Sequence, residues 1–107
     1  MKRGDIVVAG EHGSFSGKPR PWLVVQADTF LDDPATVTVC LISTAVEART
    51  FRIPVSPLPD NGLSEASTVL VDKLLTLRES SVDRVIGTLD PASLRRVDEA
   101  LRMWLAL

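Results

Sequence analysis

Arg20 stands between Pro19 and Pro21 and leads directly into the apolar run Trp22-Leu23-Val24-Val25. Each proline fixes its own φ and pushes the preceding residue out of the helical region, so the arginine is held extended from both sides. A backbone fixed in advance loses less entropy when the side chain engages an anion, and a planar guanidinium matches a phosphate. Spacing alone also accommodates a rigid strand entry with an exposed arginine. Ser43 and Thr44 offer two adjacent hydroxyls at the end of the strand-like run Thr36–Ile42, where they can also bond to their own backbone. His12, the one histidine, lies in a Gly/Ser-rich stretch; it titrates near neutrality, although a lone loop histidine is commonly just solvated. There is no Cys/His cluster, no H-E-x-x-H, no phosphate-cradling glycine loop ahead of a helix and no Ser/His/Asp motif. With the carboxylates scattered along the chain, the pattern suits a reaction that needs neither metal nor cofactor.

These residues must be positioned by short strands. Asp5–Ala9 reads as a first strand, and residues 10–19, with three glycines and two serines, as a loop. Trp22–Gln26 reads as a second strand, and residues 27–35 as a turn region broken at Asp32-Asp33-Pro34. Thr36–Ile42 reads as a third and central strand, since its second half is continuously apolar. Residues 48–55 alternate, with Phe51, Ile53 and Val55 on one face, and Pro54 marks that strand as an edge. Asn61-Gly62 is a strong turn signal. Ser67–Val71 reads as a strand that Asp72–Leu77 either extends or leaves, and Val82–Gly87 as a last short strand. Asp90 can cap a C-terminal helix with Pro91 in its first turn, and Leu94, Val97, Leu101 and Trp104 or Leu105 form its apolar stripe. Arg95, Arg96 and Arg102 fall off that stripe, onto a solvated face. Trp22 and Trp104 read as core or interface residues. Short strands followed by one docked helix give an α+β fold with a small twisted antiparallel sheet.

At 107 residues the chain is long enough for one domain, spanning 1–107, with a real core. Apolar residues make up 45% and charged residues 24%, an ordinary globular balance rather than a disordered one. The single cysteine, Cys40, lies in an apolar run and cannot pair within the chain, so it reads as a small buried hydrophobe in a reducing compartment. No stretch approaches the length of a membrane span and no targeting segment is visible, which points to the cytoplasm. Net charge is −2, with six basic and six acidic residues in 1–54 and six and eight in 55–107. Nucleic acid would therefore have to be bound by a local cationic cluster, over a short recognised segment.

Several motifs occur in a fixed order: Lys2-Arg3-Gly4-Asp5-Ile6-Val7, the Gly13-Ser14 loop, Arg20-Pro21 before Leu23-Val24-Val25, Val71-Asp72-Lys73-Leu74-Leu75-Thr76-Leu77, Ile86-Gly87-Thr88-Leu89, and Val97-Asp98-Glu99-Ala100-Leu101. Any one of them is weak, but the ordered set, spanning Lys2 to Leu107, resembles the MazF/PemK toxins of toxin–antitoxin modules. The resemblance implies an SH3-like barrel with an appended helix and a metal-independent, sequence-specific endoribonuclease. It also implies a homodimer, single-stranded RNA as substrate, a 2′,3′-cyclic phosphate product, and a cognate antitoxin whose acidic tail occupies the RNA groove. CcdB toxins share this fold and inhibit DNA gyrase by binding alone, which is the alternative.

In the family, the arginine of the R-P motif and a Thr or Ser ending the third strand form the catalytic pair. Those positions are Arg20 and Ser43 here, with Thr44 as the alternate if the register slips by one. Arg20 would stabilise negative charge rather than act as a base, since arginine barely deprotonates in proteins. Lys18, His12, Phe15 and Lys73 are further candidates for catalytic or RNA-contacting roles. Relatives commonly carry G-S-E-Q where this chain reads Gly13-Ser14-Phe15-Ser16, so an acidic residue is missing and Phe15 could stack on a base instead. Relatives also commonly read D-Q at Asp72-Lys73, where Lys73 would add positive charge to an RNA groove if it points there.

Overall fold

The computed structural model describes residues 1–10, 18–31, 35–44 and 46–107. Six strands and one helix follow in order: β1 (Asp5–Ala9), β2 (Arg20–Val24), β3 (Thr36–Ser43), β4 (Arg52–Val55), β5 (Ser67–Arg78), β6 (Val82–Thr88) and α1 (Pro91–Leu105). The strands form one antiparallel sheet in the order β4-β5-β3-β2-β1-β6. β3 is central and β4 is an edge, as the apolar run and Pro54 indicate. The sheet is open, with edges at β4 and β6 rather than a hydrogen-bonded closure.

Both faces of the sheet are apolar, because side chains alternate along each strand. On one face Ile6, Leu23, Cys40, Ile42, Val69 and Val71 pack with Val97 and Ala100 of α1. On the other, Val7, Trp22, Val24, Val39, Leu41, Leu70 and Leu77 form a second core whose buried members, Leu31 excepted, all lie on strands. Among the described residues no α-helix packs on that face, and the sheet stays open where the family resemblance implies a barrel.

Three elements depart from the alternation in the sequence. β2 begins at Arg20 instead of Trp22, so the arginine is part of the strand. Pro21 is tolerated there because it sits one residue from the strand's start. β4 begins at Arg52, because Arg49 and Arg52 exchange backbone hydrogen bonds, each 3.0 Å, around a tight turn. β5 runs unbroken through Asp72, but its register on β3 jumps from Cys40↔Leu74 to Leu41↔Leu70, leaving Val71, Asp72 and Lys73 without partners on β3. The displaced segment finds other partners: the Val71 amide donates to the Phe51 carbonyl at 3.0 Å. The Arg52 guanidinium donates to both carboxylate oxygens of Asp72, at 3.2 and 2.8 Å.

α1 starts as its capping signals require, with the Ser93 amide donating to Asp90 Oδ2 at 3.0 Å and Pro91 in the first turn. Its buried face is Ser93, Val97 and Ala100, small enough to let the helix approach the sheet closely, with Leu94 and Leu101 half-buried beside them. Trp104 and Leu105 do not complete that buried stripe: they remain 48% and 46% exposed. The Trp104 ring instead leans on Phe51, with centroids 5.2 Å apart. Arg95, Arg96 and Arg102 are exposed, as their positions off the stripe require.

The hydrogen bonds from Arg52 hold the Asp72 carboxyl below its ordinary value. A depressed carboxylate contributes stability that is present above its unfolded value, about pH 4, and lost as pH falls through the folded one. Asp72→Asn should therefore lower the urea midpoint at pH 7 and leave the protein less sensitive to acid below about pH 4 than the parent. Cys40 is fully buried, and desolvation pushes its thiol up to about 12. Ellman's reagent at pH 8 should then label the native protein only at its rate of opening, and rapidly in urea.

Candidate functional site

The register of the central strands places the candidate residues. β2 and β3 pair as Trp22↔Leu41, Leu23↔Cys40 and Val24↔Val39. Continuing that register by two residues sets Arg20 opposite Ser43. On the outer sides Arg20 pairs with Ala9 of β1 and Ser43 with Thr68 of β5. Ala9, Arg20, Ser43 and Thr68 thus form one row across four strands. Alternation puts Arg20 on the side of Trp22 and Val24, Ser43 with Leu41, and Thr68 with Leu70. The row therefore caps one end of the second core.

Lys18, Arg20, Ser43 and Thr44 line one cleft of about 360 Å³, together with Ser67 at the start of β5. Lys18 and Thr44 are exposed, and Arg20 and Ser43 half-buried. Among the described residues the lining holds two cations, three hydroxyls and no carboxylate, a set that favours an anion. The Ser43 hydroxyl donates to the adjacent Thr44 carbonyl at 3.2 Å, a long bond at an exposed position and so readily exchanged for a ligand oxygen. Lys73 is not brought here. It is exposed in the displaced part of β5, beside Asp72, and is absent from the cleft lining. His12 and Phe15 lie outside the described residues. Among the described residues no three His, Cys, Asp or Glu side chains converge as a metal site would need.

Two further groups hold the row in place. Trp22 is 1% exposed, and its indole N–H donates to the Ala9 carbonyl at 3.1 Å, locking the end of β1 to β2 two residues from Arg20. Thr68, 5% exposed, donates from Oγ1 to the Val46 carbonyl at 3.0 Å, tying down the chain that leaves β3 just after Ser43 and Thr44. Thr68 and Ser67 carry no sequence signal of their own. Their relevance follows from the β3·β5 register alone, which the jump at Cys40 conceals.

A six-stranded antiparallel sheet with a C-terminal helix is the architecture of solved toxins of one class. The model of PemK-like, MazF-like toxins of type II toxin–antitoxin systems matches residues 2–105, and the chain belongs to that family. A probable endoribonuclease MazF from Mycolicibacterium smegmatis is 40% identical over 108 residues, covering 100% of this chain and 98% of that protein. Among solved structures, the Mycobacterium tuberculosis toxin MazF-mt6 has a TM-score of 0.82 at 27% identity, covering 96% of this chain and 97% of the other. An endoribonuclease in complex with its cognate antitoxin, from a mycobacterial species, shares the fold with a TM-score of 0.85 at 22% identity, covering 100% and 96% of the two chains. No helix among the described residues is long and apolar enough to cross a membrane.

Thr68→Val keeps the β-branched shape and deletes the donor. It should cost about 1 kcal/mol in urea unfolding and raise amide exchange across residues 44–48, whereas Thr68→Ser should restore both.

Proposed function

We propose that this chain is the toxin of a toxin–antitoxin pair and acts as a sequence-specific, metal-independent endoribonuclease on single-stranded RNA in the cytoplasm. The observation that carries the reading is that Arg20 and Ser43 line one cleft whose described charged residues, Lys18 and Arg20, are both cationic. Family membership and the 40% identical relative named as an endoribonuclease support it.

RNA contains its own nucleophile. The ribose 2′-oxygen forms a bond to the adjacent phosphorus, the bond from phosphorus to the 5′-oxygen breaks, and a 2′,3′-cyclic phosphate and a 5′-hydroxyl result. One proton leaves the 2′-hydroxyl and one reaches the departing 5′-oxygen. Between them lies a crowded phosphorane whose extra negative charge must be stabilised. Arg20 supplies a fixed positive charge there, and Ser43 donates a hydrogen bond to a non-bridging oxygen, with Thr44 able to substitute at the same rim. Lys18 attracts the strand. The proton acceptor is a group other than Arg20, because a guanidinium does not act as a base near neutrality. With the nucleophile supplied by the substrate and charge stabilised by cations of the chain, no step calls for a metal.

The same cationic cleft suits an acidic antitoxin segment, which would inhibit by occupying the place of phosphates. The exposed apolar side chains Met103, Trp104, Leu105 and Leu107 at the end of α1 suit burial in a homodimer.

Purified protein incubated with a long single-stranded RNA in EDTA should give discrete fragments with cyclic-phosphate ends. Arg20→Ala should slow cleavage at least about 100-fold, and Ser43→Ala about 10- to 100-fold, with folding unchanged by circular dichroism. Cleavage abolished by EDTA, or an unchanged rate in Arg20→Ala, would overturn this mechanism.

A further inference from the structure

A second cleft, of about 270 Å³, adjoins the cationic one and shares Pro21, Thr44 and Ser67 with it. Its character is different. Val8, Pro21, Leu63 and Ile86, all half-buried, supply an apolar lining, and among the described residues Glu65 is the one charged member of it. Among the described residues Glu65 has no ion-pair partner, the two salt bridges being Arg3–Asp98 and Arg52–Asp72.

The walls are rigid. Asn61 is 1% exposed; its side-chain oxygen accepts from the Leu58 and Leu63 amides at 3.2 and 3.0 Å, and its amide nitrogen donates to the Ser56 carbonyl at 2.9 Å. Gly62 has φ +71°, and a Cβ there would collide with the Ile86 carbonyl, just as one at Gly87 would collide with the backbone of Asn61. The loop is thereby seated directly on β6, and the Ser67 hydroxyl fixes the Glu65 carbonyl at 2.9 Å.

Resting on the ribonuclease reading, we infer that this second cleft is a nucleobase subsite in which Glu65 selects a base bearing an exocyclic amino group and rejects uracil. A carboxylate beside a phosphate-binding cleft repels the RNA backbone, so its place is against the edge of a base. It can only accept hydrogen bonds. Guanine, adenine and cytosine each present an N–H₂ group on the Watson–Crick edge; uracil presents one N–H flanked by two carbonyl oxygens that a carboxylate repels. Unstacked bases in single strands are read on that edge while their faces lie on apolar surfaces. The shared residues set the subsite directly beside the cleft proposed for the reacting phosphate.

The test begins from a cleavage site of the parent protein mapped in a long RNA. Short RNAs carrying that site, with each flanking base replaced in turn by the other three, are cleaved by the parent, Glu65→Gln and Glu65→Ala. The parent should discriminate against uracil by about 10- to 100-fold in kcat/KM at one position beside the cut. Both variants should lose that discrimination at that position alone and cleave the uracil-bearing RNA faster than the parent does. A uniform slowing on every RNA would assign Glu65 a structural role and overturn the inference. An unchanged base profile would overturn it too, whether the cleft is empty or covered by a protein partner. Absence of cleavage by the parent would instead remove the ribonuclease reading itself, and the subsite with it.

Discussion

The fold depends on the step in register between β3 and β5. On one side of the step Cys40 faces Leu74, and on the other Leu41 faces Leu70. Three residues of β5 are therefore extra. Because strand side chains alternate with period two, an odd insertion reverses the faces of everything beyond it. Leu74 packs on the helix side, and uninterrupted alternation would send Val71 and Val69 to the opposite face; the step returns both to the core beneath α1. It also brings Thr68, rather than Val71, against Ser43, and so sets a hydroxyl-bearing partner at the end of the strand that ends the site. The bidentate pair of Arg52 with Asp72 occupies the point where the ladder is interrupted, so that the displaced backbone and the edge strand β4 hold one another. Phe51, under the Arg52 guanidinium at 5.6 Å and against Trp104, carries the same connection to the end of the helix.

A second tie closes the molecule at its N-terminus. Arg3 donates from Nε to the Val25 carbonyl at 2.9 Å and from Nη2 to Asp98 of α1 at 2.7 Å. Gly4, at φ +93°, lies under Leu94 and exchanges backbone bonds with Val24 and Leu89. Asp5, 6% exposed, accepts from the Lys2 amide at 2.9 Å and from the Thr88 hydroxyl at 3.0 Å. Arg3, Gly4 and Asp5, with Lys2 bonded to Asp5, thus tie the ends of β2 and β6 and the helix α1 around the start of β1. This is a physical reason for Lys2-Arg3-Gly4-Asp5 to occur as a block, and it has nothing to do with the chemistry at Arg20. A motif can mark a family through its folding as well as through its reaction.

What the sequence reveals follows from how local each cause is. The strands β1, β3 and β6, the cap at Asp90 and the edge position of β4 are legible, because alternation, capping side chains and proline act within a few residues. Arg20 is legible for the same reason, since its two prolines are its neighbours. Its place within β2, rather than ahead of it, comes from pairing with Ala9, eleven residues away along the chain. Whether residues 72–77 continue β5 could not be read, because a strand displaced by three residues keeps its strand conformation while breaking its periodicity. Lys73 is a candidate groove cation through the family resemblance, provided that it points there, and it rides instead on the displaced segment, outside the cleft lining. Thr68, Ser67 and Glu65 are silent in sequence, as their meaning exists only after β5 has paired with β3.

The charge of the chain and the charge of the site point in opposite directions, and the geometry reconciles them. A net charge of −2 makes general attraction to a polyanion weak. The row at the end of the second core then has to create its own field, and among the described residues the charged groups lining its cleft are the cations Lys18 and Arg20. Glu47 and Glu65 lie in the two clefts beside it, each sharing Ser67 with it. Interaction between exposed charges fades over about 8–10 Å at physiological ionic strength. A phosphate at Arg20 thus meets the cations of its own cleft first, with Glu47 and Glu65 bounding the ground on which a backbone can lie, while a strand laid elsewhere on the surface meets a net negative protein. For a ribonuclease this arrangement penalises indiscriminate binding and leaves affinity to those few nucleotides that fit. On the proposed reading, a sequence preference would arise from the weakness of the overall attraction as much as from the contacts to the bases.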